Sequence, residues 1–162
     1  MRGGIFINLQ PNNFHLETTT VWSFVDRGRW ATHSGKYRGN WSPYVPRNLI
    51  LRYSKPGEWV LDQFMGSGTT LVEAKLLGRN AVGIDINPQS VSISEANLKF
   101  QCETKSKIFT KNADATNLHF IKDEHIDFIG NAYRIKNYQE IAQKYLELFK
   151  IIEKRKSIAK EL

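Results

Sequence analysis

Four short apolar runs stand out along the chain: Trp59-Val60-Leu61, Asn80 to Ile84, Lys107 to Lys111 and His125 to Ile129. Runs of this length, bounded by glycine or polar residues, predict strands. Between the first two, an apolar stretch from Leu71 to Leu77 stops at Gly78, the pattern of a helix ended by a glycine, and Thr69-Thr70 stand where caps are expected. A further helix is predicted from Pro88 onward. Alternating strands and helices predict an α/β fold with a parallel sheet. Beyond residue 136, Tyr138, Ile141, Tyr145, Leu148, Ile152, Ala159 and Leu162 recur at steps of three and four, broken at Arg155. That periodicity predicts a long C-terminal amphipathic helix, which could cover one face of the sheet or pair with a partner helix.

The chemistry is expected where the first strand ends. Asp62 closes it, and Gln63-Phe64-Met65-Gly66-Ser67-Gly68 follows as a small-residue loop able to present backbone amides to a polar ligand. A glycine loop alone is a weak signal, because several nucleotide folds use one. Gly68 is followed by Thr69 rather than the Lys of a phosphate loop, and Leu71 stands where a dinucleotide fingerprint needs its third Gly. Both of those readings are disfavoured. The second strand ends in another carboxylate, Asp85, placed where a ribose diol could donate to it.

With these residues in view, Asp62 to Thr70 and Gly83-Ile84-Asp85-Ile86-Asn87-Pro88 resemble motifs I and II of the amino-group DNA methyltransferases, which make N6-methyladenine or N4-methylcytosine. Thr32 to Lys36 and Pro46 to Glu58 resemble motif X, which in that family precedes motif I and closes over the methionine end of the cofactor. Asn112-Ala113-Asp114-Ala115 resembles motif III. The likeness covers roughly residues 18–130. It implies a partial Rossmann-like fold that binds S-adenosylmethionine, with Asp62, Phe64, Gly66, Ser67, Gly68, Thr69, Asp85, Ile86, Asp114, Ala115 and Pro46 as cofactor-binding candidates and no metal. Two of these acids have a plainer reading. Asp114 could cap the turn Thr116-Asn117-Leu118, and Asp85 could cap the helix from Pro88.

The resemblance fails at the catalytic motif. The family places a polar residue followed by Pro-Pro and an aromatic residue directly after the fourth strand, and this chain has Gly130-Asn131-Ala132-Tyr133. An exocyclic amine is a poor nucleophile, and that tetrapeptide accepts its hydrogens and stacks on the flipped base. Asn131 and Tyr133 lack the stiff prolines, so no catalytic residue is assigned. Ser42-Pro43-Tyr44, with its single Pro, reads as part of the loop over the cofactor. Four strand patterns in 162 residues are fewer than the seven-stranded sheet the resemblance implies. The chain reads as the cofactor half of such an enzyme, as a split subunit, a truncation or a relative without chemistry, and is expected to be inactive alone.

Composition narrows the setting. Hydrophobic residues make up 41%, enough for one core, and the single cysteine, Cys102, excludes a disulfide framework and suits a reducing cytoplasm. It is expected as a half-buried apolar side chain on the helix ending nearby. No apolar run is long enough to span a bilayer, and the N-terminus lacks a signal-peptide core. Net charge is +7, and residues 22–55 hold seven bases against Asp26 alone, interleaved with Trp22, Trp30, Tyr37, Trp41 and Tyr44. That mixture suits phosphate contacts and base or cofactor stacking, hence DNA contact through the basic segment 27–55, or local pairing of bases with the cofactor's carboxylate or with Asp26 and Glu58. The expected organisation is a cofactor-binding domain over 1–136, with the motif X segment at 18–58 and the core sheet at 59–133, then the helix at 137–162. The expected function is that of a DNA modification methylase of restriction-modification type, with a homodimer or a complementing catalytic subunit as partner. The alternative is a non-catalytic DNA- or protein-binding relative with a relic cofactor fold.

Overall fold

A computed structural model describes residues 8–19, 21–122 and 125–130. The expected C-terminal helix at 137–162, Asn131 and Tyr133 lie outside the described residues. Within them, the chain runs through helix α1 (Tyr44–Tyr53), strand β1 (Trp59–Asp62), α2 (Thr69–Leu76), β2 (Asn80–Asp85), α3 (Pro88–Asn97), β3 (Ile108–Asn112) and β4 (Phe128–Ile129). All strand pairs are parallel, in the order β3-β2-β1-β4. The predicted α/β architecture is therefore present, with each strand within a residue or so of its apolar run except β4. That strand keeps two residues of five, although bonds from Asp127 N to Trp59 O and from Gly130 N to Leu61 O flank it on either side.

Register decides which apolar residues form the core. Val60, Ala81, Ile108 and Phe128 are Cα partners across the four strands, so they share one face. That face packs against Leu71 and Ala74 of α2 and Ile50 of α1, with Val91 and Leu98 beside it. Gly83 lets α2 seat closely, since a Cβ there would collide with Leu71 and lie 2.6 Å from Met65 Sδ. On the opposite face Trp59 stacks with Phe109 at 5.9 Å, and Phe109 is 56% exposed.

Helix α1 was not predicted, and the cap of α2 differs from expectation. Pro43 is the N-cap residue of α1 and Pro46 fits its first turn, so Ser42-Pro43-Tyr44 begins a helix rather than belonging wholly to a loop. Thr69 and Thr70 lie inside α2, whose N-cap is Gly68 at φ 80° and ψ 25°. The left-handed turn at Gly68 does the capping threonine's work: its N–H bonds to Met65 O at 2.7 Å and its carbonyl accepts from Val72 N. Cys102 is half-buried but lies past the end of α3, in the connection to β3, with Sγ 3.1 Å from Thr104 Oγ1.

Around α2 a second core joins the N-terminal segment to the sheet. Trp30 packs on Val72 and Leu76, with Tyr44 alongside it. Beneath it Glu73, fully buried, accepts from Trp30 Nε1 at 2.6 Å and Arg47 Nη1 at 2.8 Å, and bonds His33 Nε2 at 2.7 Å. Arg47 also bonds Gln10 and lies over the Phe14 ring at 5.1 Å. A buried carboxylate is tolerable only with such partners, and all three come from the segment before β1.

Candidate cofactor crevice

A crevice of about 150 Å³ opens where the ends of β1 and β2 meet the loop between β1 and α2. Its floor is Asp62, Phe64, Met65, Gly66, Thr69 and Asp85, and its roof is the segment Tyr37 to Trp41. Parallel sheets place ligands at this edge because the strand ends and the helix N-termini converge on it. Five of the candidate residues, Asp62, Phe64, Gly66, Thr69 and Asp85, meet in the one cavity.

Asp85 shapes the loop as well as lining it. One carboxylate oxygen accepts from Gly66 N at 3.0 Å and the other from Asn87 N at 2.9 Å. Met65 N bonds Ile84 O at 3.0 Å, so the loop is tied to β2 by backbone and side chain together. The cap of α3 is Asn87, which accepts from Gln89 N, and not Asp85. Each Asp85 oxygen retains lone-pair capacity toward the crevice.

Asp62 is 4% exposed, and burial raises its carboxyl from the ordinary 3.8 to about 6. The nearby Thr70 hydroxyl and the Phe64 N–H, which donates to it at 3.1 Å, offset part of that rise, while the Asp85 charge adds to it. The Thr70 Oγ1 is buried with no hydrogen bond of ordinary geometry, so its effect is that of a nearby dipole. A buried carboxylate with so little local compensation favours its neutral form, and a cation placed beside it would favour the charged one.

The roof is pinned at two points. Tyr37 Oη bonds Ser90 Oγ on α3 at 2.7 Å, and Asn40 Nδ2 donates to Ser67 Oγ at 3.1 Å and Ser34 O at 2.8 Å. Asn97 donates to Ser67 O at 2.9 Å. Ser67 is thus a buried anchor between roof, loop and α3 rather than a lining residue. Gly68 is likewise buried as the N-cap of α2. Asn40 was not among the sequence candidates, and Tyr37, Arg38 and Trp41 were read only as part of the basic, aromatic segment suited to phosphate contacts and stacking. The signal was present, because aromatic and basic residues between Gly35 and Gly39 sit beside the quoted motif X residues, but nothing in the pattern said which would face the loop.

The remaining candidates stand apart from the cavity. Ile86 is 72% exposed beyond the end of β2, and Asp114 and Ala115 follow β3 on the open surface along the strand ends. Asp114 accepts from both N and Oγ1 of Thr116 at 2.8 Å, the turn-capping role expected of it. Pro46 is buried in α1 and does not line the cavity. A ligand pocket commonly encloses roughly 300–1,000 Å³. At about 150 Å³ the crevice is smaller than such a pocket.

Of the basic segment, Arg29, Lys36, Arg38, Arg52 and Lys55 are exposed. Arg47 is spent on Glu73, and Arg27 is half-buried and bonded to Asn40. Trp30 and Tyr44 belong to the second core, where Tyr44 stacks on Phe24 at 4.9 Å. The described residues contain no cluster of metal-ligating side chains and no helix long and apolar enough to cross a membrane.

The chain is similar in sequence to several known proteins. The type II methyltransferase M.MjaII of Methanocaldococcus jannaschii is 29% identical over 126 residues, which cover 77% of this chain and 23% of that protein. M2.DpnII of Streptococcus pneumoniae is 40% identical over 76 residues, 47% of this chain and 27% of that protein. M1.MboII of Moraxella bovis is 53% identical over 51 residues, 29% of this chain and 20% of that protein. The chain spans about a quarter of the length of such relatives. The N6/N4 methyltransferase family model, described as DNA methylase, matches residues 7–96, more than half of the chain and all of the segment that builds floor and roof of the crevice. The chain belongs to that family of DNA methylases.

Proposed function

We infer that the chain is the methyl-donor half of an amino-group DNA methyltransferase, holding S-adenosylmethionine in the crevice between the Tyr37–Trp41 roof and the glycine loop. One observation carries this reading. Two strand-end carboxylates, Asp62 and Asp85, face one cavity, and the loop between them is shaped by the Gly66 N to Asp85 bond. The chemistry of that donor set fits the cofactor. Asp62 suits the ammonium at its methionine end, the free lone pairs of Asp85 suit its ribose hydroxyls, and the exposed apolar edge at Phe64 and Ile86 suits its adenine. When bound, the donor supplies an electrophilic methyl group on a sulfonium.

This chain's own residues bind and orient. Asp62 and Asp85 fix the donor along the strand ends, Trp41 and Tyr37 cover it, and buried Ser67 holds cover and loop together. In-line transfer to a flipped adenine N6 or cytosine N4 then depends on acceptor-side groups, which no described residue supplies. The exposed bases Arg29, Lys36, Arg52 and Lys55 serve the DNA backbone. A complementing polypeptide or a second copy would supply the acceptor side, packing on the sheet face that carries Phe109.

Equilibrium dialysis with labelled S-adenosylmethionine tests the binding claim. The native chain is expected to retain ligand at a one-to-one limit, and Asp85→Ala to lose most of it while keeping its far-ultraviolet spectrum. No retention by the native chain, or equal retention by Asp85→Ala, contradicts the reading. In a duplex gel-shift series, replacing Arg29 and Lys55 by Gln is expected to flatten the salt dependence of binding, whereas an unchanged slope removes DNA from that surface.

A further inference from the structure

We propose that a second cavity, between residues 8–12 and the turn from Asp26 to Trp30, binds a guanine nucleotide: Asp26 accepts from the base and Arg29 meets the phosphate. The cavity encloses about 390 Å³, more than the donor crevice, and shares no lining residue with it. That volume lies within the range of small-molecule pockets, roughly 300–1,000 Å³. This second site owes nothing to the donor-binding reading, since no contact in it involves S-adenosylmethionine.

The hydrogen bonds already made within the walls fix what they still offer. Asn8 Oδ1 accepts from Gln10 N, Asn12 Oδ1 from Asn8 Nδ2, and Gln10 Oε1 from Arg47 Nη2. All three amide oxygens are committed. Gln10 Nε2 and Asn12 Nδ2 remain as donors with no partner among the described residues, and both side chains line the cavity. Tyr44 lines it too, and its hydroxyl bonds no described residue; burial, and after it the Asp26 charge, raise that hydroxyl above its ordinary value, so it enters as a donor. Against these donors stands one carboxylate. Asp26 gives one oxygen to Gly28 N and forms no ion pair with Arg27 or Arg29 among the described residues, although all three line the same space. Two guanidiniums against one carboxylate leave the lining at +1, which favours an anion. Guanine is the base whose edges match these walls. Its N1–H and N2 amine are adjacent donors that one carboxylate accepts together, and its O6 and N7 are acceptors for amide and hydroxyl donors. Adenine and cytosine set a single amine beside a ring acceptor, and thymine offers one ring N–H. Arg29, exposed and unpaired among the described residues, is left for the phosphate, where a guanidinium makes its strongest contacts.

Calorimetric titration of the full 162-residue chain with the four deoxynucleoside monophosphates and with deoxyguanosine tests the assignment. The native chain is expected to bind the guanine nucleotide about tenfold tighter than each of the other three, the scale of one bidentate pair, and tighter than deoxyguanosine. Asp26→Asn, which keeps an acceptor for Gly28 N, is expected to lose the preference for guanine and keep the preference for the phosphate. Arg29→Gln is expected to do the reverse. Both side chains are exposed, so neither substitution disturbs a core. Lys36→Gln, which removes an exposed charge away from the cavity, should change neither preference. Single-stranded oligonucleotides with and without one guanine among thymines separate the sources of the ligand. Preference among mononucleotides assigns the cavity to a free nucleotide, and preference among the oligonucleotides alone assigns it to a base within a strand. Absence of guanine preference from both series overturns the proposal. So does preference that survives Asp26→Asn, an equal loss in Lys36→Gln, or displacement of the nucleotide by excess S-adenosylmethionine, which would put it in the donor crevice. Failure of the donor to bind leaves guanine preference and its dependence on Asp26 in place, so the two readings fail separately.

Discussion

Asp62 shows how a single residue can be costly to the fold and useful to the site. Burial holds its carboxyl at about 6 in the folded chain against an ordinary 3.8, so the folded state binds the proton more tightly than the unfolded one. The ligand-free chain is therefore fully stable with respect to this group below about pH 4 and loses stability as pH rises through 6, by about 3 kcal/mol in all. Asp62→Asn is expected to abolish that decline, so chemical denaturation at pH 7.5 should find the variant more stable than the native chain and at pH 4 nearly equal. A native profile that rises over this range contradicts the environment described. Gly68 makes the opposite case, a residue with no side chain whose absence of one is essential. At φ 80°, a Cβ would collide with Ser94 Oγ and lie 3.3 Å from Ser94 Cα. Gly68→Ala is expected to cost about 1–3 kcal/mol from strain at that turn, with donor affinity falling alongside it. Unchanged stability in a denaturation curve would show that the loop can reshape.

At the scale of elements, strands were legible and the N-terminal helix was not, and the reason is physical. The four strands carry apolar runs because their inward positions pack on α1 and α2, and such runs are visible without knowing what covers them. The inward positions of α1 include Arg47 and Asn48 beside Pro46 and Ile50, so its apolar periodicity is blunted. Those polar residues are inside because they have buried work. Asn48 Oδ1 accepts from Glu17 N at 2.6 Å, and Arg47 neutralises Glu73. Likewise Asp62 and Asp85 could be picked out because each closes a strand, whereas the roof residues Arg38 and Asn40 face the cavity only through pairings with Ser67 and Ser90 that are distant in sequence. Glu73 is the element-scale test. It binds α2 to the whole segment that forms the roof, so Glu73→Ala leaves Arg47 buried without a counter-charge and is expected to cost roughly 3–5 kcal/mol. Glu73→Gln, which keeps the volume and one acceptor oxygen, should cost less. A loss under about 1 kcal/mol for Glu73→Ala, read from urea midpoints, would mean that the segment is held by the Trp30 packing alone.

Across the described residues the chain is a parallel sheet with one well-packed face, a crevice at its strand ends and a basic N-terminal segment of which only part is exposed. Of seven bases between residues 22 and 55, Arg47 and Arg27 are drawn into internal bonds, which composition alone had no means of showing. What remains is a sheet whose two strand-end carboxylates, Asp62 and Asp85, face one crevice. The direct test is a calorimetric titration with S-adenosylmethionine repeated from pH 5 to pH 8. If the ligand's ammonium meets the ionised Asp62, affinity is expected to be level above about pH 6 and to fall toward tenfold per pH unit below it, with Asp62→Asn weak throughout. Absence of binding by the native chain, or an affinity indifferent to both pH and Asp62→Asn, would contradict the central claim.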